Sequence, residues 1–147
     1  MQGFLLLLHV AGVVVWLGGM FFAVACLHPA LATLQGRTRA DLVSATLGRF
    51  LAWVGACIAL IWASGLAMMA RIEAQALPLG WHLMIGIGAV MTLVYLWIVL
   101  GQFRPARPAL ARADLAAAAP RFGRIRQLVI LNLVLGALAV ASVLLLS

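Results

Sequence analysis

Residues 3–27 have the sequence GFLLLLHVAGVVVWLGGMFFAVACL, which is apolar except for one histidine. A bilayer-spanning helix needs roughly 20 mostly apolar residues. Three further stretches meet this requirement, at about residues 50–70, 81–101 and 128–146. The sequence therefore predicts an all-α integral membrane four-helix bundle in a single domain, residues 1–147.

The composition supports a membrane protein, since 67% of the residues are hydrophobic and only 9% are charged. Soluble domains are about half apolar and about a quarter charged. The first stretch lacks a positive n-region and a small-residue cleavage site, so we expect a retained helix rather than a signal peptide. Cys26 and Cys57 lie in apolar runs without CxxC spacing. Buried thiols are therefore expected rather than a disulfide.

The positive charges predict the orientation of the helices. All ten are arginines, and nine of them lie between helices 1 and 2 or between helices 3 and 4: Arg37, Arg39, Arg49, Arg104, Arg107, Arg112, Arg121, Arg124 and Arg126. Only Arg71 lies between helices 2 and 3, where we expect it to be solvated with Glu73. The positive-inside rule then places both basic linkers in the cytoplasm and both termini in the periplasm. Topology and anionic headgroups explain the net charge of +7 without nucleic acid.

The two basic linkers contain features of helices. The segment Thr38–Leu47 is expected to be helical, with the Thr38 hydroxyl capping its start and Asp41 in its first turn. Between Pro108 and Pro120 we expect a short interfacial helix, around Ala109–Ala118, lying on the inner leaflet.

The polar residues within the spans indicate function, because such residues are costly in hydrocarbon and usually face the interior of the bundle. They are His9, Ser64, His82, Thr92, Tyr95, Asn132 and Ser142. The topology places imidazoles and thioethers from three helices in the periplasmic half of the bilayer: His9, His82, Met68, Met69 and Met84. Imidazole and thioether together suit copper, with thioether favouring Cu(I). Histidines are also axial ligands of haem iron.

Packing explains several of these residues equally well. Methionine is a common gap-filler between helices, and His82 fits an interfacial position. Gly12, Gly19 and Trp16 share one helical face with His9, which predicts a close helix–helix contact along that face. Asn132 is expected to bond to a neighbouring helix. His28 is expected at the cytoplasmic interface, since histidine has an apolar body and a polar tip.

The first helix resembles that of the copper-resistance protein D (CopD) family. The shared features are a histidine, then Trp16-Leu17-Gly18-Gly19, then Pro29 near the end of the helix. The resemblance continues over most of the chain at Gly48-Arg49-Phe50, Ser64-Gly65 and Phe122-Gly123-Arg124. It implies copper uptake or tolerance at the bacterial inner membrane.

The first helix is also similar to that of HemJ-type protoporphyrinogen oxidases, in which a histidine precedes a tryptophan by seven residues, as His9 precedes Trp16. That resemblance implies haem b. The group usually carries a lysine in helix 3, whereas this chain has no lysine and has Met84 near that position.

The sequence thus predicts a multi-pass inner-membrane protein that binds copper through His9 and His82, with Met84, Met68 and Met69 as further ligands. Haem b held by the two histidines is one alternative, and a structural protein without a cofactor is another. Besides the lipid bilayer, a periplasmic copper or redox partner and a homo-oligomer are compatible with this organisation.

Overall fold

The computed structural model describes residues 1–70, 77–112 and 114–146, so the expected pair of Arg71 and Glu73 lies outside the described residues. Within those ranges the chain is helical, with four long helices. We name them α1 (Gln2–Leu31), α2 (Gly36–Met69), α3 (Leu79–Ala111) and α4 (Leu115–Leu145). Each is long and apolar enough to cross a membrane, as in a multi-pass membrane protein.

Two of the helices contain a wider π-helical turn, and each of these turns is followed closely by a proline. The turn Ala23–Leu27 precedes Pro29 in α1, and the turn Ile98–Phe103 precedes Pro105 in α3. A proline has no N–H and its ring crowds the carbonyl four residues earlier. In α3 that carbonyl belongs to Gly101, and it accepts a hydrogen bond from the Arg121 guanidinium at 3.3 Å. The helix therefore continues through the proline.

The helices pack as two antiparallel pairs around a shared apolar core. α1 packs mainly on α2, and α3 packs mainly on α4. All four contribute buried side chains to the core, among them Met20, Val54, Met91 and Val129. Many large apolar side chains point outward, such as Phe4, Val14, Leu93 and Val134, which are each more than half exposed.

The antiparallel packing gives the molecule two ends. We call the histidine end the one formed by the starts of α1 and α3, around His9 and His82, and by the ends of α2 and α4. The arginine end is formed by the opposite termini. Contacts fix this arrangement: Ser142 near the end of α4 bonds to Gly80 near the start of α3, and His9 bonds to Ile61 in the second half of α2.

The helices are longer than the apolar runs predict, and they extend at the arginine end. The segment Thr38–Leu47 is helical, as expected, and it forms part of α2. The predicted Thr38 cap is wrong, because the helix already begins at Gly36, where a φ of +59° suits glycine. Asp41 instead lies one turn beyond Arg37 and pairs with it at 3.4 Å.

The interfacial helix predicted around Ala109–Ala118 is wrong. α3 continues to Ala111, and α4 begins at Leu115. The Asp114 carboxylate accepts the Ala117 N–H at 3.0 Å, which caps the start of α4 and separates the two helices. Pro120 lies inside α4 rather than at a helix boundary.

Candidate functional site

His9 of α1 is held against α2 through one ring nitrogen. Its Nδ1 lies 3.0 Å from the carbonyl oxygen of Ile61 and 3.3 Å from the hydroxyl oxygen of Ser64. The Ser64 hydroxyl donates to the Leu60 carbonyl at 2.6 Å. A carbonyl only accepts, so Nδ1 carries the ring proton in this arrangement. Nε2 is then the nitrogen with the lone pair.

Glycines make room for this ring. A Cβ atom at Gly65 would lie 3.2 Å from Cε1 of His9, which is tighter than an ordinary contact. A Cβ atom at Gly12 would lie 2.8 Å from Cγ1 of Ile61. Two turns further along α1, where it also contacts α2, a Cβ atom at Gly19 would lie 2.6 Å from Cε2 of Phe50. The predicted close contact on the His9 face is therefore confirmed, and small residues at these positions let the two backbones approach.

The ring of His82 also bonds to a backbone carbonyl through Nδ1, but on the surface of the protein. Its Nδ1 lies 3.1 Å from the carbonyl oxygen of Pro78, the residue before the first turn of α3. The acceptor is again a carbonyl, so the proton again belongs on Nδ1 and the lone pair on Nε2. Unlike His9, which is half-buried, His82 is exposed on the surface of the protein.

The three predicted methionines lie at the same end of the molecule as the two histidines. Met68 and Met69 form the end of α2, Met84 lies in the first half of α3, and all three are half-buried. The structure therefore collects the predicted donors at the histidine end. Each ring is held separately through Nδ1, since His9 bonds to residues of α2 and His82 bonds to its own helix.

The set of donors limits which metals this end suits. Across the described ranges, the structure forms no group of three or more His, Cys, Asp and Glu side chains able to hold a metal ion. The predicted donors at this end are imidazoles and methionine sulfur. Thioethers favour Cu(I), whereas carboxylates and carbonyls suit harder ions.

Ser64 and Gly65 are the residues whose part in the site was not predicted. Ser64 was recognised only as a polar residue within a span, and the Ser64-Gly65 pair only as part of a resemblance. A signal was present, because residues near the start of one helix face residues near the end of its antiparallel neighbour. The carbonyl of Ile61, however, has no signature in the sequence.

The other polar residues of the spans connect helices to each other. Asn132 of α4 donates to the carbonyl of Met91 in α3 at 3.1 Å, which confirms its predicted role. Trp62 of α2 donates to the Thr92 hydroxyl in α3, also at 3.1 Å. These two bonds join α3 to α4 and to α2.

No protein-family model, curated protein or solved structure matches this chain.

Proposed function

We propose that this chain is a CopD-like multi-pass protein of the bacterial inner membrane that binds copper for uptake or tolerance. His9 and His82 are the principal ligands, and Met84, Met68 and Met69 supply thioethers. The orientation of the two imidazoles carries the proposal. Each directs Nδ1 to a backbone carbonyl, at 3.0 Å for His9 and 3.1 Å for His82, which leaves the lone pair of the neutral ring on Nε2 for a metal. Histidines that ligate metals usually hold their other ring nitrogen in this way.

The outward side chains support the membrane location. Phe4, Val14 and Leu93 are exposed by 62%, 62% and 65%, on helices long enough to span a bilayer. Lipid tails would cover these side chains, while the backbone polar groups are satisfied within each helix. Nine of the ten arginines belong to the two basic linkers, so the positive-inside rule supports a cytoplasmic arginine end and periplasmic termini. Copper would then enter the site from the periplasm.

The decisive experiment separates the two nitrogens of His9. Asparagine places an amide nitrogen near the position of Nδ1, so His9→Asn can keep the bond to Ile61 while removing Nε2. We expect the His9→Asn and His9→Ala proteins to lose bound copper and the His82→Ala protein to bind it much more weakly. The measurement is copper per protein by elemental analysis, after purification with Cu(I) under reducing conditions.

Methionine variants provide the matched control. Met84→Leu should reduce copper content, because leucine is similar in size to methionine but lacks the thioether at the histidine end. Met20→Leu should leave the copper content unchanged, because Met20 is buried in the core, in the half of α1 nearer the arginine end. A His9→Asn protein that is folded and retains its full copper content would contradict the proposal.

Haem b is the second candidate, because the same two Nε2 atoms could serve as its axial ligands. A Soret band in the purified protein that disappears in His9→Asn but not in Met84→Leu would favour haem over copper. If wild-type protein takes up neither copper nor haem, the hydrogen bond from His9 to α2 has a structural role alone.

A further inference from the structure

A cavity of about 700 Å³ opens at the arginine end, between α1, α2 and the start of α4. Its polar lining includes Arg39 of α2, Arg126 of α4, and His28 of α1. Its apolar walls include Leu31, Val43 and Phe122. The cavity therefore combines two guanidinium groups with a surface suited to hydrocarbon.

These guanidinium groups are not neutralised by carboxylates within the described residues. The ion pair found there joins Arg37 to Asp41, and neither of these residues lines the cavity. Asp114 caps the start of α4 through its bond to the Ala117 N–H. Two cations thus share a recess without an anion from the described parts of the chain.

We propose that this cavity binds the headgroup of an anionic phospholipid of the cytoplasmic leaflet. The phosphodiester would accept hydrogen bonds from Arg39 and Arg126, and the upper part of an acyl chain would lie against Leu31 and Phe122. Guanidinium groups suit phosphate oxygens because their planar array of donors matches them. Basic recesses between helices on the cytoplasmic side are typical sites for such lipids. The proposal rests on the membrane orientation given above but not on the copper site.

The test is equilibrium binding of fluorescent phosphatidylglycerol to the protein in uncharged detergent micelles. We compare Arg39→Gln/Arg126→Gln with Arg104→Gln/Arg124→Gln, which removes the same charge from arginines that are exposed and do not line the cavity. Each arginine near an anionic headgroup contributes roughly a factor of five in affinity. We therefore expect the cavity variant to bind about 25-fold more weakly and the control variant to bind nearly as well as wild type.

A third variant fills the cavity without changing its charge. Gly123 lines the cavity, and a Cβ atom there would meet nothing within 4 Å, so Gly123→Leu should fold normally and exclude the lipid. Equal weakening in the cavity and control variants would show diffuse attraction and overturn the proposal. Displacement of the lipid by equimolar inorganic phosphate would identify a site for a small anion instead and would also overturn it.

Discussion

The two ends of the bundle differ in how their polar side chains are satisfied. At the histidine end, polar side chains of one helix bond to backbone carbonyls of its neighbour: His9 bonds to Ile61 and Ser142 bonds to Gly80. At the arginine end, cavities of about 700 and 480 Å³ open between the helices, and arginines line both. A neutral donor can be satisfied by a single carbonyl inside an apolar bundle. A guanidinium group has five donors and a full charge, so it needs water or an anion.

The largest expected effect concerns which end faces which side of the membrane. If the arginines decide the orientation, a phosphatase that folds only in the periplasm should be active when fused to the C terminus. A fluorescent protein that folds only in the cytoplasm should be dark at the same position. The reverse pattern would place the histidine end in the cytoplasm and would contradict a site loaded from the periplasm.

Close packing at the histidine end gives the next largest effect. A Cβ atom at Gly80 would collide with the carbonyl oxygen of Ser142, which is backbone and cannot turn away. The N–H of Gly80 also donates to the carbonyl of Leu146 at 3.2 Å, so the start of α3 is fixed against α4. Gly80→Ala should therefore lower the free energy of unfolding by about 2 kcal/mol, the usual scale for overpacking. Denaturant titration in detergent measures this value.

The matched control for this prediction is Gly86→Ala in the same helix. A Cβ atom at Gly86 would meet nothing within 4 Å. Alanine is also the better helix former by about 1 kcal/mol, so Gly86→Ala should be neutral or stabilising. Similar destabilisation by both substitutions would show that the contact between Gly80 and Ser142 does not limit the packing of this end.

The difference between the two ends also explains what the sequence could predict. Hydropathy located the four spans because each contains a run of apolar residues long enough to cross a bilayer. The apolar runs are shorter than the helices at the arginine end, because the helices continue there through segments that contain arginines and are not hydrophobic. Gly36–Arg49 and Arg104–Ala111 are both helical, although neither belongs to an apolar run.

Prolines misled the sequence analysis for a related reason. The sequence predicts an interfacial helix between Pro108 and Pro120, but both prolines lie inside longer helices. A proline costs a helix one backbone hydrogen bond and crowds the carbonyl four residues earlier. At Pro105, the guanidinium of Arg121 satisfies such a carbonyl from another helix. That compensation depends on how α3 and α4 pack, which local sequence does not contain.

The candidate site was predictable in its residue types and not in its contacts. Charge and hydropathy sufficed to place His9, His82 and the methionines at one end of the molecule. The bond from His9 to Ile61 depends on the rotation of α2 about its axis, because any carbonyl in that turn could accept.

The smallest expected effect on stability comes from the middle of the bundle, between the histidine end and the arginine end. The Tyr95 hydroxyl of α3 donates to the Leu51 carbonyl of α2 at 3.1 Å. Hydrogen bonds between membrane helices average about 0.6 kcal/mol, because the unfolded chain finds other partners. Tyr95→Phe should therefore lower the free energy of unfolding by about 0.6 kcal/mol in the same denaturant titration.

A double-mutant cycle with Gly55 distinguishes this hydroxyl from general packing of the ring. A Cβ atom at Gly55 would lie 2.6 Å from the Tyr95 hydroxyl oxygen and 3.5 Å from Cζ, so the hydroxyl alone makes the severe contact. Gly55→Ala should thus destabilise the wild-type protein, by about 1–3 kcal/mol if the ring cannot move. The same substitution should cost much less in the Tyr95→Phe protein, where the conflicting oxygen is absent. Additive effects of the two substitutions would show that α2 and α3 can move apart at Gly55 to make room for the new methyl group. The contact between these two helices would then be as open as the packing around the cavities of the arginine end.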